Sequence, residues 1–365
     1  MQKQTRWSVI VVAASMGLWA MAAGAGGQVI EALYPSPALD RWMYNFAQTP
    51  GTENNISVFT SLGDPLQLNF DDHDGQYLIG FDTAPLVPAG LPAANYRILG
   101  LTLTVRNNRS NGFRYDPTYD SWRTYLPVTD VNALADGDVG RPIELYGAGY
   151  RNGFTAQTFG EAAAFSVGDS SALPQRAVRN VFAAEYDALG VARDVSNNVL
   201  GEMGAGPGFD TSPLAVGIAT ANAAQPNPVI PGDLVPTNTD FAFSVSLANA
   251  GTIRYLRESL AAGRLNLVVT AVAPSAMMGG SPPRFYSKEA SGVPATGIAQ
   301  PARLSLRVCT SFPSDWNCDG TRGVDDIFAF LSDWFAGPGD FNADGDRGVD
   351  DIFAFLSSWF GAGVP

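Results

Sequence analysis

The stretch RILGLTLTVR, residues 97–106, decides the fold class. Leu and Val alternate there with Thr, the period-2 pattern of a strand with one buried face. Four further segments read as strands: QYLIGFDT (76–83), FAFSVSLA (241–248), LNLVVTAVA (265–273) and ARLSLRV (302–308). They are bounded by Gly, Pro, Asn or Asp, residues that favour turns over strand interiors. Helical periodicity is weak, apart from a short helix expected around residues 252–262. Many short strands with turn signals between them predict a mainly β fold, a large two-sheet β-sandwich over residues 28–308. Pro-rich pieces such as AAQPNPVIPGDLVPTN (223–238) are expected to be long surface loops.

The chain has 365 residues, room for two or three domains. Its formal net charge is -13, and 27 Asp outnumber 8 Glu. So acidic a chain repels phosphate backbones, which argues against nucleic acid as a partner. The one histidine, His73, leaves little scope for histidine catalysis or a zinc site. Lys3 and Arg6 precede an apolar run over residues 9–23, and AMA (20–22) and AGA (23–25) offer small residues for cleavage around its end. This pattern predicts a signal peptide over residues 1–27 and a secreted or cell-surface protein. A retained signal anchor is the competing reading, although the run is short for a membrane span. No second apolar stretch is long enough to cross. Export permits a disulfide, and Cys309 and Cys318 are the only cysteines. Pairing is expected, with free thiols or an intermolecular bridge as the alternatives.

The C-terminus repeats itself. DWNCDGTRGVDDIFAFLSDWF (315–335) and DFNADGDRGVDDIFAFLSSWF (340–360) agree at 17 of 21 positions. Each copy opens with D-x-N-x-D-G and carries Asp at its twelfth position, the pattern of an EF-hand calcium loop. Alternate residues on such a loop can bring oxygens to one point, which a hard cation requires. The expected ligands of two calcium ions are Asp315, Asn317, Asp319, Thr321 (through its carbonyl) and Asp326, then Asp340, Asn342, Asp344, Asp346 and Asp351. Gly320 and Gly345 permit the sharp turns. Helices are expected after both loops, with Ile327, Phe330, Leu331, Trp334 and Phe335 on one apolar face, and Ile352, Phe355, Leu356, Trp359 and Phe360 on the other. Phe328 and Phe353 fall off that face beside Val324 and Val349, and either dock a partner or cover the protein's own body.

No helix-forming sequence precedes either loop, so the unit is loop–helix, written twice. That arrangement resembles a dockerin, and most closely the GC-type dockerin at the C-terminus of exported planctomycete proteins. The resemblance spans residues 309–360 and includes the Cys before DWNCDG. It implies a small α-helical, calcium-folded domain over residues 309–365 whose partner is a cohesin-like scaffold protein at the cell surface. One departure is Gly323 or Gly348 at the ninth loop position, where cellulosomal dockerins often carry Asn or Ser; water is expected to fill that ligand place. The body resembles the DNRLRE family of exported sandwiches. The resemblance rests on YLIGFDTAPLVPAGLPAANYRILGLTLTVR and on RFYSKEASGVPATGIAQPARLSLRV. It implies a carbohydrate-binding-module-like architecture.

Chemistry in the body is harder to read. FDDHDGQ places Asp71, Asp72 and Asp74 around His73, as a metal site or as an acidic turn. Tyr115, Tyr119, Trp122, Tyr146 and Tyr150 either stack on the rings of a polysaccharide or belong to the core. Glu144, Glu161, Asp116 and Asp120 could supply the carboxylate pair of a glycosidase, though their spacing does not demand it. No G-x-S-x-G, H-E-x-x-H or phosphate-loop motif is present. The expectation is therefore a non-catalytic sandwich attached by its tail. The competing reading is a carbohydrate-active enzyme, a polysaccharide hydrolase or lyase, carried to a scaffold.

Overall fold

A computed structural model describes residues 27–47, 50–60, 74–166, 178–202, 206–290, 298–337, 339–342 and 344–361. The expected leader, apart from Gly27, and the turn residues Asp71, Asp72 and His73 lie outside these. In chain order the body runs β1 (Gln28–Tyr34), β2 (Leu39–Met43), β3 (Asn55–Ser57), β4 (Gln76–Asp82), β5 (Tyr96–Arg106) and β6 (Glu144–Tyr150). It continues with β7 (Val181–Tyr186), β8 (Ala192–Asp194), β9 (Ala215–Val216), β10 (Ile218–Thr220) and β11 (Asp240–Ser244). A helix, α1 (Ala250–Ala261), precedes β12 (Arg264–Thr270), β13 (Arg284–Tyr286) and β14 (Arg303–Thr310). The tail contributes α2 (Val324–Ala336) and α3 (Val349–Gly361).

Two antiparallel sheets dominate. One has the order β1-β14-β5-β11-β10; the other runs β2-β4-β12-β6-β7-β8, with β9 also on β6. β3 and β13 form a small third pair. The protein is mainly β, as the alternating segments predict, and all five of those segments contain strands. One continuous core takes side chains from both large sheets. Leu103, Val105, Phe243 and Leu304 come from the first, and Ile79, Phe81, Leu145 and Leu267 from the second. Burial of these side chains is the main stabilising term. The expected helix appears as α1, capped by Asn249, whose side chain accepts from the Thr252 N–H at 3.0 Å. It buries Leu256 and Leu260 against the same core. Among the described residues no helix is long and apolar enough to cross a membrane.

The pairing of β5 with β14 contains one irregularity that matters later. Arg307 lies opposite Gly100, whereas Val308 lies opposite Ile98, so Leu99 is an extra residue on β5. A bulge of this kind reverses which face the following residues occupy. Leu101, Leu103 and Val105 point into the core; beyond the bulge Ile98 and Tyr96 do so instead. Arg97 is thereby turned outward, opposite Cys309.

At the other end of β5 the strand is held by charge. The Arg106 guanidinium donates to both oxygens of Asp240, Nε to Oδ1 at 2.7 Å and Nη2 to Oδ2 at 2.9 Å, and Arg303 adds a bond at 3.0 Å. Arg106 and Asp240 are both buried and are direct cross-strand partners. Removing one member of a buried pair leaves the other charge poorly compensated. Arg106→Leu is therefore expected to lower unfolding stability by about 3 kcal/mol, read as a shift in the urea midpoint.

Candidate metal centre

The tail folds around aromatic rings rather than around a strand-built core. Phe330 of α2 and Phe355 of α3 stack face to face, centroids 4.3 Å apart and planes 8° from parallel. Both are fully buried. Trp316 and Phe341, the second residues of the two repeats, close on this pair edge-on, Trp316 at 5.1 Å from Phe330 and Phe341 at 5.4 Å from Phe355. The repeats also exchange hydrogen bonds. Trp334 Nε1 donates to the Gly348 carbonyl at 3.0 Å, and Trp359 Nε1 to the Gly323 carbonyl at 3.2 Å. Each helix thus reaches across to the other repeat's loop. Neither repeat can bury its aromatic face alone, which is the physical reason for two copies.

Both loops follow one plan. Asp326 sits in the first turn of α2, where its Oδ2 accepts from the Gly323 N–H at 2.9 Å and its Oδ1 from the Asn317 N–H at 3.0 Å. Asp351 does the same in α3, accepting from Gly348 at 2.8 Å and Asn342 at 3.2 Å. The N-terminal turn of a helix favours such carboxylates. Asp315 accepts from the Gly320 N–H and Asp340 from the Gly345 N–H, at 2.9 and 3.0 Å, so both loops turn sharply at a glycine with positive φ. Asn317 and Asn342 each donate to the neighbouring Asp, Asp319 or Asp344, at 2.9 Å. Asp319 accepts from the Thr321 hydroxyl and N–H, and these bonds hold its carboxyl below the usual range. Asp344 is lowered in the same way, chiefly by the Asp346 N–H. Burial pushes Asp326 the other way, against the pull of its amide partners.

The donor set is therefore all oxygen and mostly carboxylate, which fits a hard cation such as calcium. Each carboxylate oxygen bonded to one N–H keeps a further lone pair. Among the described residues, threes of carboxylates that approach within 4.8 Å are Asp40, Glu161 and Glu289, and Asp116, Asp120 and Asp138. Both groups are in the body. In the tail, Asp315, Asp319, Asp326, Asp340, Asp344 and Asp351 accept instead from backbone N–H groups of their own loops.

The tail is seated on the sandwich at the outward-turned end of β5. Cys309, on β14, forms a disulfide with Cys318 in the first loop. β14 continues through Thr310, so Cys309 belongs to the sheet as well as to the tail. The Arg97 guanidinium lies 4.4 Å over the Trp316 ring, with Nη2 3.2 Å from Cys318 Sγ and Nη1 3.9 Å from Asp333. Burial lowers its pKa, and Asp333 and Asp315 oppose that shift. Gly27 lies where any side chain would strike the Asp315 carboxylate.

Several expectations need correction. Phe335 and Phe360 were assigned to the buried helical faces, yet they are 75% and 72% exposed. Each instead packs edge-on against its own neighbour, Trp334 or Trp359. In the body, Tyr115 and Tyr146 are buried and offer no ring face to a sugar. The Tyr115 hydroxyl accepts from the Ala219 N–H, and the Tyr146 hydroxyl bonds to Glu144 and Thr211. Tyr150 and Trp122 are half-buried against the core, Trp122 with Gly208 on its ring. Tyr119 alone of the five is exposed, at 39%. Glu144 is fully buried, and desolvation pushes its carboxyl up to about 8. Asp74 is buried and accepts from the Thr60 hydroxyl at 2.7 Å. Residues absent from the sequence-based site are Arg97 and Asp138; DGDVG (136–140) was the available signal for the second.

No protein-family model matches this chain, and no curated protein matches it.

If the stacked pair holds the tail together, Phe330→Ala removes half of it and leaves a cavity beside Phe355. A loss of about 3–5 kcal/mol from the tail is expected, read as protease sensitivity of residues 315–360 with the sandwich still resistant.

Proposed function

We propose that this is an exported, non-catalytic β-sandwich protein attached to a cell-surface scaffold through its tail. In this reading the tail is a GC-type dockerin that folds on two calcium ions and binds a cohesin-like partner. The sandwich, of DNRLRE type, is the presented element, either structural or binding polysaccharide. The observation that carries the reading is the duplicated loop. Two all-oxygen donor sets with the same hydrogen-bond plan flank one aromatic core.

The energetics support a metal requirement. A tail of this size buries too little core to be secure unaided. Its carboxylates repel one another until a divalent ion draws them together, so calcium binding and folding are coupled. The tail also has a surface suited to docking. On α2, Val324, Phe328, Leu331 and Phe335 follow a 4-3-4 spacing, which places them along one stripe. Val349, Phe353, Leu356 and Phe360 repeat it on α3. Val324, Phe328 and Phe335, with Val349, Phe353 and Phe360, are exposed. Exposed aromatics in such a row are typical of interaction surfaces.

The alternative, a carbohydrate-active enzyme, draws on a cleft in the second sheet. Asp40, Glu161 and Glu289 converge within 4.8 Å beside a cavity of about 480 Å³ lined by Arg41, Tyr44 and Glu161. Burial raises the Asp40 carboxyl to about 7, aided by the hydrogen bond that its protonated form gives to Glu289. Against this, the Lys288 ammonium binds Glu161 and lies 3.9 Å from Asp40 and 3.8 Å from Glu289. Such a cluster ties the segment after β13 to β2 without leaving a carboxylate pair clear of a cation. If the enzyme reading is correct, polysaccharide is cleaved and Glu161→Gln abolishes the release of reducing ends.

Two measurements test the main reading. With calcium, residues 315–360 of the full chain should resist protease; EDTA should expose them and leave the sandwich intact. Equal cleavage with and without calcium would remove the metal requirement. A pull-down from the producing cell's envelope should yield a calcium-dependent partner. Phe328→Ala with Phe353→Ala should lose that partner while calcium still protects the tail.

A further inference from the structure

We propose that the sandwich itself holds a hard divalent cation, of the calcium class, at Asp116, Asp120 and Asp138. These residues lie on the long connection between β5 and β6, far in sequence from the tail loops. The inference stands on different residues from the tail reading and does not need it.

Three observations carry it. The first is convergence: one carboxylate oxygen from each of Asp116, Asp120 and Asp138 lies within 4.8 Å of the other two. Asp116 and Asp120 are buried, and Asp138 is exposed at the rim. Arg141 is the cation that pairs with this group, and it divides its Nη1 between Asp120, at 2.8 Å, and Asp136. One guanidinium is thus shared by two of the four carboxylates on this connection.

The second is an unmet need for a ligand. Asp116 is only 3% exposed. Its Oδ1 accepts from the Thr118 N–H at 2.8 Å and hydroxyl at 2.6 Å, but its Oδ2 is buried with no hydrogen-bond partner. Buried carboxylate oxygens are rarely left bare, because desolvation is costly unless a donor or a cation replaces water.

The third is that the arrangement is held in place. The Thr118 hydroxyl bridges Asp116 Oδ1 and Asp138 Oδ2, at 2.6 and 2.9 Å. Gly140, at φ +125°, brings its backbone so close that a Cβ there would meet Asp116 Cβ at 3.0 Å and the Arg114 carbonyl at 3.2 Å. Only glycine permits that approach at this backbone angle. The carboxylates are thus preorganised before any ion arrives. With no His or Cys in the set, carboxylate oxygens select calcium, magnesium or manganese over zinc or copper. A cation here would pin a long strandless connection and fix Tyr119, which lies between two of the ligands.

The test uses the full chain and calcium alone, by equilibrium dialysis. A tail-silenced variant, Asp315→Asn, Asp326→Asn, Asp340→Asn and Asp351→Asn, should retain about one calcium per chain. Asp116→Asn with Asp138→Asn should bind one calcium fewer than the parent. Asp138→Asn alone, at an exposed position that should leave the fold unchanged, should weaken that site by at least about tenfold, since a carboxylate ligand is lost. A tail-silenced variant that binds no calcium, or a double variant that binds as much as the parent, overturns the proposal. Calcium lost from the tail-silenced variant alone would leave the tail reading standing; one calcium retained in the parent and lost only in the double variant would leave the body site standing without it.

Discussion

The pairing of β5 with β14 is the constraint on which both halves of the molecule depend. It places β5 between β14 and β11 at the centre of one sheet, so its inward side chains set the core. Its bulge at Leu99 reverses the facing of the strand's first residues and turns Arg97 outward. Cys309, directly opposite Arg97, carries the disulfide to the tail. One local irregularity thus joins a sheet to a helical module. Guanidinium–indole stacking and a covalent bond fasten the tail to that sheet.

Negative charge is handled in three ways. In the tail, carboxylates accept from amides of their own loops. Beside β2, Asp40, Glu161 and Glu289 gather around the Lys288 ammonium. On the connection between β5 and β6, carboxylates converge and Arg141 pairs with Asp120 and Asp136. The first suits a loop that tightens on an ion and orders the helix behind it. The second suits a fixed joint between segments distant in sequence. The third suits a site built before its ion arrives. These differences follow from how much backbone N–H and basic side chain each setting offers, not from how many Asp residues it has.

Strands with one solvated face were legible, because alternation survives wherever one side meets water. RILGLTLTVR and ARLSLRV show this; for α1 only a short helix around residues 252–262 was legible, and its Asn249 cap came from the structure. Both loop–helix repeats could be read from their Asp, Asn and Gly positions. Phe335 and Phe360 were misplaced because helical spacing gives the angle of a side chain and not its neighbours. Four helical turns offered more apolar residues than one small interface can bury. Tyr115 and Tyr146 could be read either as sugar-stacking rings or as core residues, because residue type alone does not report burial. They lie under the loops, their hydroxyls satisfied by the Ala219 N–H and by Glu144 and Thr211.

By itself the sequence determined the β class, the position of α1, the duplication of the tail and the chemical kind of its loop side chains. These are local properties, set by residue type and short-range spacing. Only the tertiary structure decided that Arg97 faces the tail, that Phe330 stacks on Phe355, and that Asp116, Asp120 and Asp138 meet. Each depends on segments brought together across long stretches of chain, or on a single extra residue in one strand. Spacing cannot report either, because register and packing are settled by which surfaces bury one another.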